Sequence, residues 1–346
     1  MSERRLYLDR GPGEDRGVVR LDGRAEHLLI RRDGDDHRLG LGARFVARVR
    51  KVEAAIGSAF LDLGEGAEAV LPFRPDARPV EGHALEVEIR SEPRAGKLAV
   101  VRALGEGEGA PRPLTPAPDL LEQLRAFARD VRIVEGPAAR EAADAAQAEA
   151  LETVHPLPGG GSLAIETTRA LTALDVDLGA RQAADAKRAA RQANLAALGA
   201  AARLLRLKSI GGRVVIDLAG RGHDGNALLT AARAAFGPDN PGVAFGPISR
   251  FGTLELTIPR RTPPLRETLC RADGAASDLT LALALARRIE DEARAQPGAR
   301  LSARCAPAVA DAATGLADAL MLRIGARFTI SAEPGLDRDH LEVAGL

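Results

Sequence analysis

The chain has 346 residues, with 48 basic and 48 acidic side chains and so no formal net charge at neutral pH. That length exceeds one typical domain and predicts at least two modules with cores of their own, which excludes a small disulfide-stapled scaffold. A balanced charge neither invites nor forbids a polyanionic partner, so only the distribution of the cations can decide. Lysine occurs only at Lys51, Lys97, Lys187 and Lys208, and arginine supplies every other cation. A GC-rich genome produces that excess without any demand for bidentate phosphate contacts. Cys270 and Cys305 are too few for a zinc site or a disulfide framework and fit a reducing cytoplasm. No signal-like apolar core opens the chain and no eighteen apolar residues run unbroken, so a soluble, cytoplasmic protein without a membrane span is expected. With one Tyr, eight Phe and no Trp, a base-stacking surface must rest on very few rings.

Residues 6–104 read as short strands between Gly, Asp and Pro turns, the spacing of a β-barrel. Residues 1–41 form N-terminal strands that pack with the domain after the barrel, and 42–104 have the length and strand count of an OB barrel. Residues 105–118, GEGEGAPRPLTPAP, have linker composition. From 119 to 262 the pattern is mixed α/β: two helices flank a short RIVEG strand, then come a hairpin through HPLPGGGSLAIETTRALTALDVD, an Ala-rich helix from about Gln182 to Leu207, the strand GGRVVIDLAG, and a helix leading to a strand pair. GGGS at 159–162 is not followed by a helix and reads as the start of a strand, not as a phosphate-binding loop. Residues 263–346 read as a linker and a small α/β domain, which makes the whole chain α/β (α+β).

LTALDVD carries the chemistry. Asp175 and Asp177 lie two apart in a strand, so both carboxylates leave the same face. Unpaired they repel, and a cation or basic partner between them relieves that repulsion. Asp217 ends another apolar strand, where α/β sheets place functional groups, so three carboxylates are expected to converge. Hard cations such as Mg²⁺ take oxygen ligands and bind through one or two carboxylates plus a substrate phosphate, which outlines a phosphodiester-cleaving site. Between Arg169 and Arg213 nine cations face three acids, a net charge of +6 in a neutral chain. Arg181, Arg188 and Arg191, followed by Asn194, recur along the Ala-rich helix, with Leu195, Leu198, Ala202 and Leu205 as the opposing apolar stripe. A basic helix face beside acidic metal ligands suits RNA or DNA phosphates. The same residues also admit plainer readings: the aspartates as a solvated strand edge, the helix face as solvated, Phe60 as barrel core, Lys97 as a turn lysine, His155 and His223 as incidental.

These stretches resemble the catalytic half of the bacterial ribonuclease E/G family. GARFVARVRKVEAAIGSAFLDLGEGAEAVLPF is similar to its S1-type RNA-binding barrel. GGSLAIETTRALTALDVDLGAR, ANLAA, RLLRLKSIGGRVVIDLAG and ISRFGTLEL are similar to its ribonuclease-H-like catalytic domain. The resemblance implies a Mg²⁺-dependent hydrolase that cuts single-stranded RNA and leaves a 5′-phosphate and a 3′-hydroxyl. By position, Asp175 and Asp217 match the metal-binding aspartates, and Asp177 stands where the family has an asparagine that orients the metal site. Phe60 matches a barrel aromatic that contacts RNA, Lys97 a neighbouring basic residue, and Arg250 the arginine of ISRFG; Arg188 and Arg191 join them as expected RNA contacts. Departures also appear: Val70 replaces a second barrel aromatic, Arg169 replaces a glutamate, the short linker replaces the Arg-Thr pocket for the RNA 5′ end, and Cys270 alone replaces a paired-cysteine zinc link. Any homo-oligomer is therefore held without zinc.

The principal expectation is a Mg²⁺-dependent endoribonuclease of RNA processing or decay. The alternative is a non-catalytic RNA-binding protein that keeps the fold; retention of both Asp175 and Asp217 favours the enzyme. A structural or assembly factor acting through protein surfaces would bind without the salt sensitivity that phosphate contacts impose.

Overall fold

The computed structural model describes residues 3–94, 96–181, 185–221, 224–237 and 242–346; His223 and the start of the expected Ala-rich helix at Gln182 lie outside them. In chain order the elements begin with β1 (Arg4–Arg10), β2 (Glu14–Leu21) and β3 (Arg24–Arg32). Next come β4 (Arg44–Glu53), β5 (Ser58–Gly64), β6 (Ala67–Pro72), β7 (Ala84–Ser91), β8 (Ala99–Glu106) and β9 (Arg112–Thr115). The middle holds α1 (Leu120–Phe127), β10 (Ile133–Val134), α2 (Pro137–Leu151), β11 (Val154–Pro156), β12 (Ser162–Thr167), β13 (Thr172–Asp177) and α3 (Ala186–Leu207). It continues with β14 (Gly212–Asp217), α4 (Gly225–Phe236), β15 (Ala244–Ile248) and β16 (Thr253–Ile258). The last stretch has α5 (Leu265–Leu269), α6 (Asp278–Ala295), β17 (Leu301–Cys305), α7 (Pro307–Ala313), α8 (Ala317–Ile324), β18 (Phe328–Ala332) and β19 (Leu341–Gly345).

The barrel strands β4 to β8 close on themselves through the β5–β4 pairing, giving a closed five-stranded OB-like barrel. Its interior is small and aliphatic, with Ala47, Val49, Ala59, Leu61, Leu63, Val87 and Ile89 buried, as period-two alternation requires. Residues 105–118 are not the free linker their composition predicts. β8 runs to Glu106, and β9 pairs with the first residues of β4, Arg44↔Thr115 and Val46↔Arg112. β5 covers β4 only from Arg48 onward, so β9 satisfies backbone groups that would otherwise lack partners.

The central sheet has the order β11-β12-β13-β14-β16-β15, with β13 and β14 parallel and the other neighbours antiparallel. Parallel neighbours need a crossover, and α3 provides it. Ala193, Ala197, Leu198, Ala201 and Leu205 of α3 share one core with Leu174, Val176, Val214 and Ile216 of the sheet. Leu198, Ala202 and Leu205 of the expected apolar stripe are buried, but Leu195 is 38% exposed and Asn194 is fully buried in its place.

The N-terminal sheet has the order β10-β1-β2-β3 and meets the C-terminal unit through buried ion pairs. Arg16, fully buried, pairs with Asp9 at 2.6 Å; Glu14 pairs with both Arg32 and Arg287 at 2.8 Å. Arg140 of α2 reaches Asp9 at 3.1 Å and Glu290 of α6 at 2.7 Å. Each of these charges is desolvated and mutually compensated, which fixes the C-terminal unit's register on the rest of the chain. That unit is a three-stranded sheet, β18-β17-β19, over its own core with α6. No helix among the described residues is long and apolar enough to cross a membrane.

Candidate active site

β13 has the burial alternation that TALDVD predicts: Thr172, Leu174 and Val176 point into the core while Asp175 and Asp177 stand on the exposed face. β14 does the same, with Val214 and Ile216 inside and Asp217 outside. The parallel register pairs Asp175 directly with Asp217. Adjacent strands lie about 4.8 Å apart, so the two carboxylates are neighbours on one open surface, a like-charge juxtaposition that a cation between them would relieve. Across the sheet the same row runs Ala164, Asp175, Asp217, Thr253.

Asp177 lies two residues beyond this pair, and its Oδ1 accepts the Gly179 N–H at 3.1 Å. The expected convergence of three carboxylates does not occur, because β14 ends at the level of Asp175 and offers no partner for Asp177. Among the described residues no group of three or more His, Cys, Asp and Glu is placed to hold a metal ion. The donor set is therefore a two-carboxylate one, which is the number Mg²⁺ commonly takes from protein when waters and phosphate supply the rest.

The segment after Asp217 is held from two sides. The side chain of Asn194, fully buried in α3, donates to the Ala219 carbonyl at 3.1 Å and accepts the Ala219 N–H at 2.9 Å. Leu218 N–H donates to the Gly252 carbonyl at 3.1 Å in the β15–β16 turn. Gly220, at φ +84°, sits so close to α3 that a Cβ there would lie 2.8 Å from the Ala190 Cβ. In the β15–β16 turn, Ser249 Oγ lies 2.7 Å from Thr253 Oγ1 and accepts the Phe251 and Thr253 N–H groups. The Arg250 guanidinium rests 4.6 Å from the Phe251 ring centroid, and Phe251 is 77% exposed. A cation stacked on an exposed ring, at the end of the strand that pairs with Asp217, is a surface on which a phosphate and a base can both be held.

Sequence reasoning selected Arg250 but not Phe251, and it placed Asn194 with the arginines of the basic helix face, whereas Asn194 is fully buried and bonded to Ala219. Phe251 was legible as an aromatic inside a tight Ser–Gly turn.

The expected basic helix face is not over the carboxylates. α3 packs on the buried face of the sheet, so Lys187, Arg188 and Arg191 are exposed at its first turns while Asp175 and Asp217 leave the opposite face. Much of the positive window is also internally committed. Arg181 donates to the Pro158 and Gly160 carbonyls at 2.7 and 2.6 Å, Arg203 pairs with Glu149, and Arg206 pairs with Glu26. Lys208 is buried with its Nζ donating to the Ala150 carbonyl at 2.9 Å, and burial pulls its ammonium down to about 8. His155 is buried as well, and that burial lowers its imidazole pKa.

On the barrel, Phe60 is half-buried on the outer side of β5, where it pairs with Lys51 on one neighbour and Val70 on the other. Val70 in turn pairs with Val100 of β8. Lys97 is exposed in the turn before β8, bridged to Arg94 through reciprocal backbone hydrogen bonds. The two thiols are free and belong to different cores, Cys270 beside the central one and Cys305 inside the C-terminal one.

The architecture is that of a closed OB-like barrel joined to a mixed α/β unit whose open sheet face presents paired carboxylates. Residues 119–261 match the profile of the Ribonuclease E/G family. Ribonuclease E of Escherichia coli is 36% identical over 147 residues, which is 40% of this chain and 14% of that protein. The chloroplastic ribonuclease E/G-like protein of Arabidopsis thaliana is 36% identical over 113 residues, 31% of this chain and 11% of that protein. Ribonuclease G of Escherichia coli is 26% identical over 212 residues, 56% of this chain and 42% of that protein. The chain thus spans less than half the length of each of these relatives.

Proposed function

We propose that this protein is a Mg²⁺-dependent endoribonuclease acting on single-stranded RNA in the cytoplasm, with a ribonuclease-H-like catalytic unit and an S1-type barrel that holds the RNA. The observation that carries this reading is the cross-strand pairing of Asp175 with Asp217 on an exposed sheet face, within the stretch that matches the family.

Asp175 and Asp217 would hold the Mg²⁺. When bound, the ion supplies a water of lowered pKa and neutralises charge developing on the phosphoryl oxygens. Arg250 would pair with a backbone phosphate next to the scissile one, and Phe251 would stack a base beside it. Asp177, tied to the turn after β13, would accept a hydrogen bond from a water on the open face and so orient it. Asn194 touches no substrate; it is a positioning residue that fixes the segment leaving Asp217. Phe60 and Lys97 would hold RNA on the barrel, with Val70 contributing apolar contact but no stacking, a loss of about 1–3 kcal/mol against an aromatic. Arg188 and Arg191 would contact RNA only as it passes around the edge of the sheet. Any homo-oligomer would form without a shared zinc.

The test is cleavage of a labelled single-stranded RNA by the whole protein in Mg²⁺ or EDTA, with Asp175→Asn and Asp217→Asn alongside. Mg²⁺-dependent cuts that leave 5′-phosphate ends, lost in both variants while RNA binding persists, support the reading. Salt-sensitive binding without any cleavage replaces it with a non-catalytic RNA-binding protein.

A further inference from the structure

A second concentration of charge lies far from Asp175 and Asp217. A cavity of about 550 Å³ opens between the barrel and the opposite end of the central sheet, lined by Arg90, Arg94, Lys97, Glu92, Arg260 and Arg261 among others. β14 and β16 set the separation. Asp217 pairs with Thr253 at the start of β16, whereas Arg260 follows the last residues of that strand. Seven residues of extended chain span about 23 Å.

The cleft is built rather than incidental. The Glu92 N–H donates to the Arg261 carbonyl at 2.7 Å, which ties the barrel to the sheet at this point. Arg260 is laid across two glycines: a Cβ on Gly212, at φ +100°, would lie 2.2 Å from its Nη2, and a Cβ on Gly211 would lie 2.9 Å from its Cα. Any larger residue at 212 would evict the guanidinium.

Among the described residues, most of this charge has no ion-pair partner. Glu92, the one carboxylate among the described residues lining the cavity, has its Oε1 committed to the Leu41 N–H at 2.9 Å, and burial raises its pKa. Arg90 pairs with Glu88 at 3.3 Å, while no ion pair among the described residues engages Arg94, Lys97, Arg260 or Arg261. Burial lowers the pKa of Arg260 and Arg261, and the nearby charges of Arg94 and Arg90 respectively lower them further; Glu267 acts the other way on Arg260. Cations crowded into repulsion at a barrel–sheet seam are stable when anions bridge them. Val100 also lines the cleft, and through Val70 it shares the outer barrel surface with Phe60 two strands away.

We propose that this cleft binds consecutive backbone phosphates of a single RNA strand, so that the barrel and the sheet edge together grip the chain several nucleotides from the paired carboxylates. The inference rests on the RNA reading above and adds a site to it.

The test is fluorescence anisotropy with a labelled 12-nucleotide single-stranded RNA and the whole protein in EDTA, so that cleavage does not interfere. Wild type is compared with Arg94→Gln/Arg260→Gln and with Arg90→Gln/Lys97→Gln, each checked for an unchanged thermal transition. Each lost phosphate contact lowers the salt slope by about 0.7 on a single strand. Raising salt from 50 to 200 mM should therefore weaken wild-type binding about 7-fold more than it weakens either double variant. If wild type binds RNA but both variants show its affinity and its slope, the cleft is not an RNA site and the carboxylate reading is untouched. If one pair fails to fold, the other pair decides. If wild type binds AMP as tightly as the 12-nucleotide strand, the cleft is a small-anion pocket and the proposal is overturned. If wild type binds no single-stranded RNA, the underlying reading fails with it.

Discussion

Replacing Asn194 with alanine separates positioning from chemistry. The side chain is fully buried, and both of its hydrogen bonds go to one backbone unit, the Ala219 carbonyl and the Ala219 N–H. Alanine leaves that donor and that acceptor without partners. Each unsatisfied buried group costs about 1–3 kcal/mol, and Ala219 is half-buried, so water recovers part of the loss; the expected destabilisation is about 2–4 kcal/mol. Urea unfolding followed by circular dichroism should report this as a lower midpoint for the transition of the central core. Because Asn194 contacts no RNA in the proposed arrangement, cleavage should show a lower kcat with KM nearly unchanged. Asn194→Asp is a sharper probe: it keeps the size and the acceptor for Ala219 N–H but turns an acceptor toward the Ala219 carbonyl. Burial raises the pKa of such a carboxyl, and its protonated form again donates, so this variant should recover stability relative to wild type as the pH falls. A loss below about 0.5 kcal/mol in the alanine variant, the range of surface substitutions, together with unchanged kcat, would refute the assignment of Asn194 as the support of this segment.

Two further outcomes follow from buried charge. Arg140→Met removes partners from Asp9, Glu290 and Asp291, but Asp9 keeps Arg16 and Glu290 keeps Arg323, so the cost should sit near the lower end for a broken buried pair, about 3 kcal/mol. It should appear as earlier thermal release of the C-terminal unit, and equal melting of wild type and variant would contradict the network's role. Lys208 supplies a pH dependence. Its folded pKa of about 8 lies below the ordinary 10.5, so between those values the unfolded chain holds more protons and stability rises with pH. Over that window wild type should gain up to about 3 kcal/mol relative to Lys208→Met, and parallel stability curves would show that the ammonium is not destabilised by burial.

The resemblance to the ribonuclease E/G family could be read from motifs, and the barrel from strand spacing. Residues 105–118 read as a linker because PRPLT carries too little periodic signal to mark a strand: β9 fills the edge of β4 that β5 leaves open before Arg48. The three-stranded start of the central sheet was similarly understated, since β11 is only Val154–Pro156 and its pairing to β12 is not visible in so short a segment.

Alternation along TALDVD determined by itself that Asp175 and Asp177 share a face, because successive side chains of any strand leave opposite sides. Only tertiary structure decided that Asp175 meets Asp217 and that Asp177 meets no third carboxylate, since register between strands separated by a helix is chosen by the burial of Leu174, Val176, Val214 and Ile216 in one core. It also divided the arginines. Arg181, Arg203 and Arg206 satisfy carbonyls and carboxylates within the fold, whereas Arg260 and Arg261, unremarkable in sequence, meet Arg94 and Lys97 from the barrel. A cation's role depends on which acceptors the packed chain brings within about 3 Å, and that is not a local property.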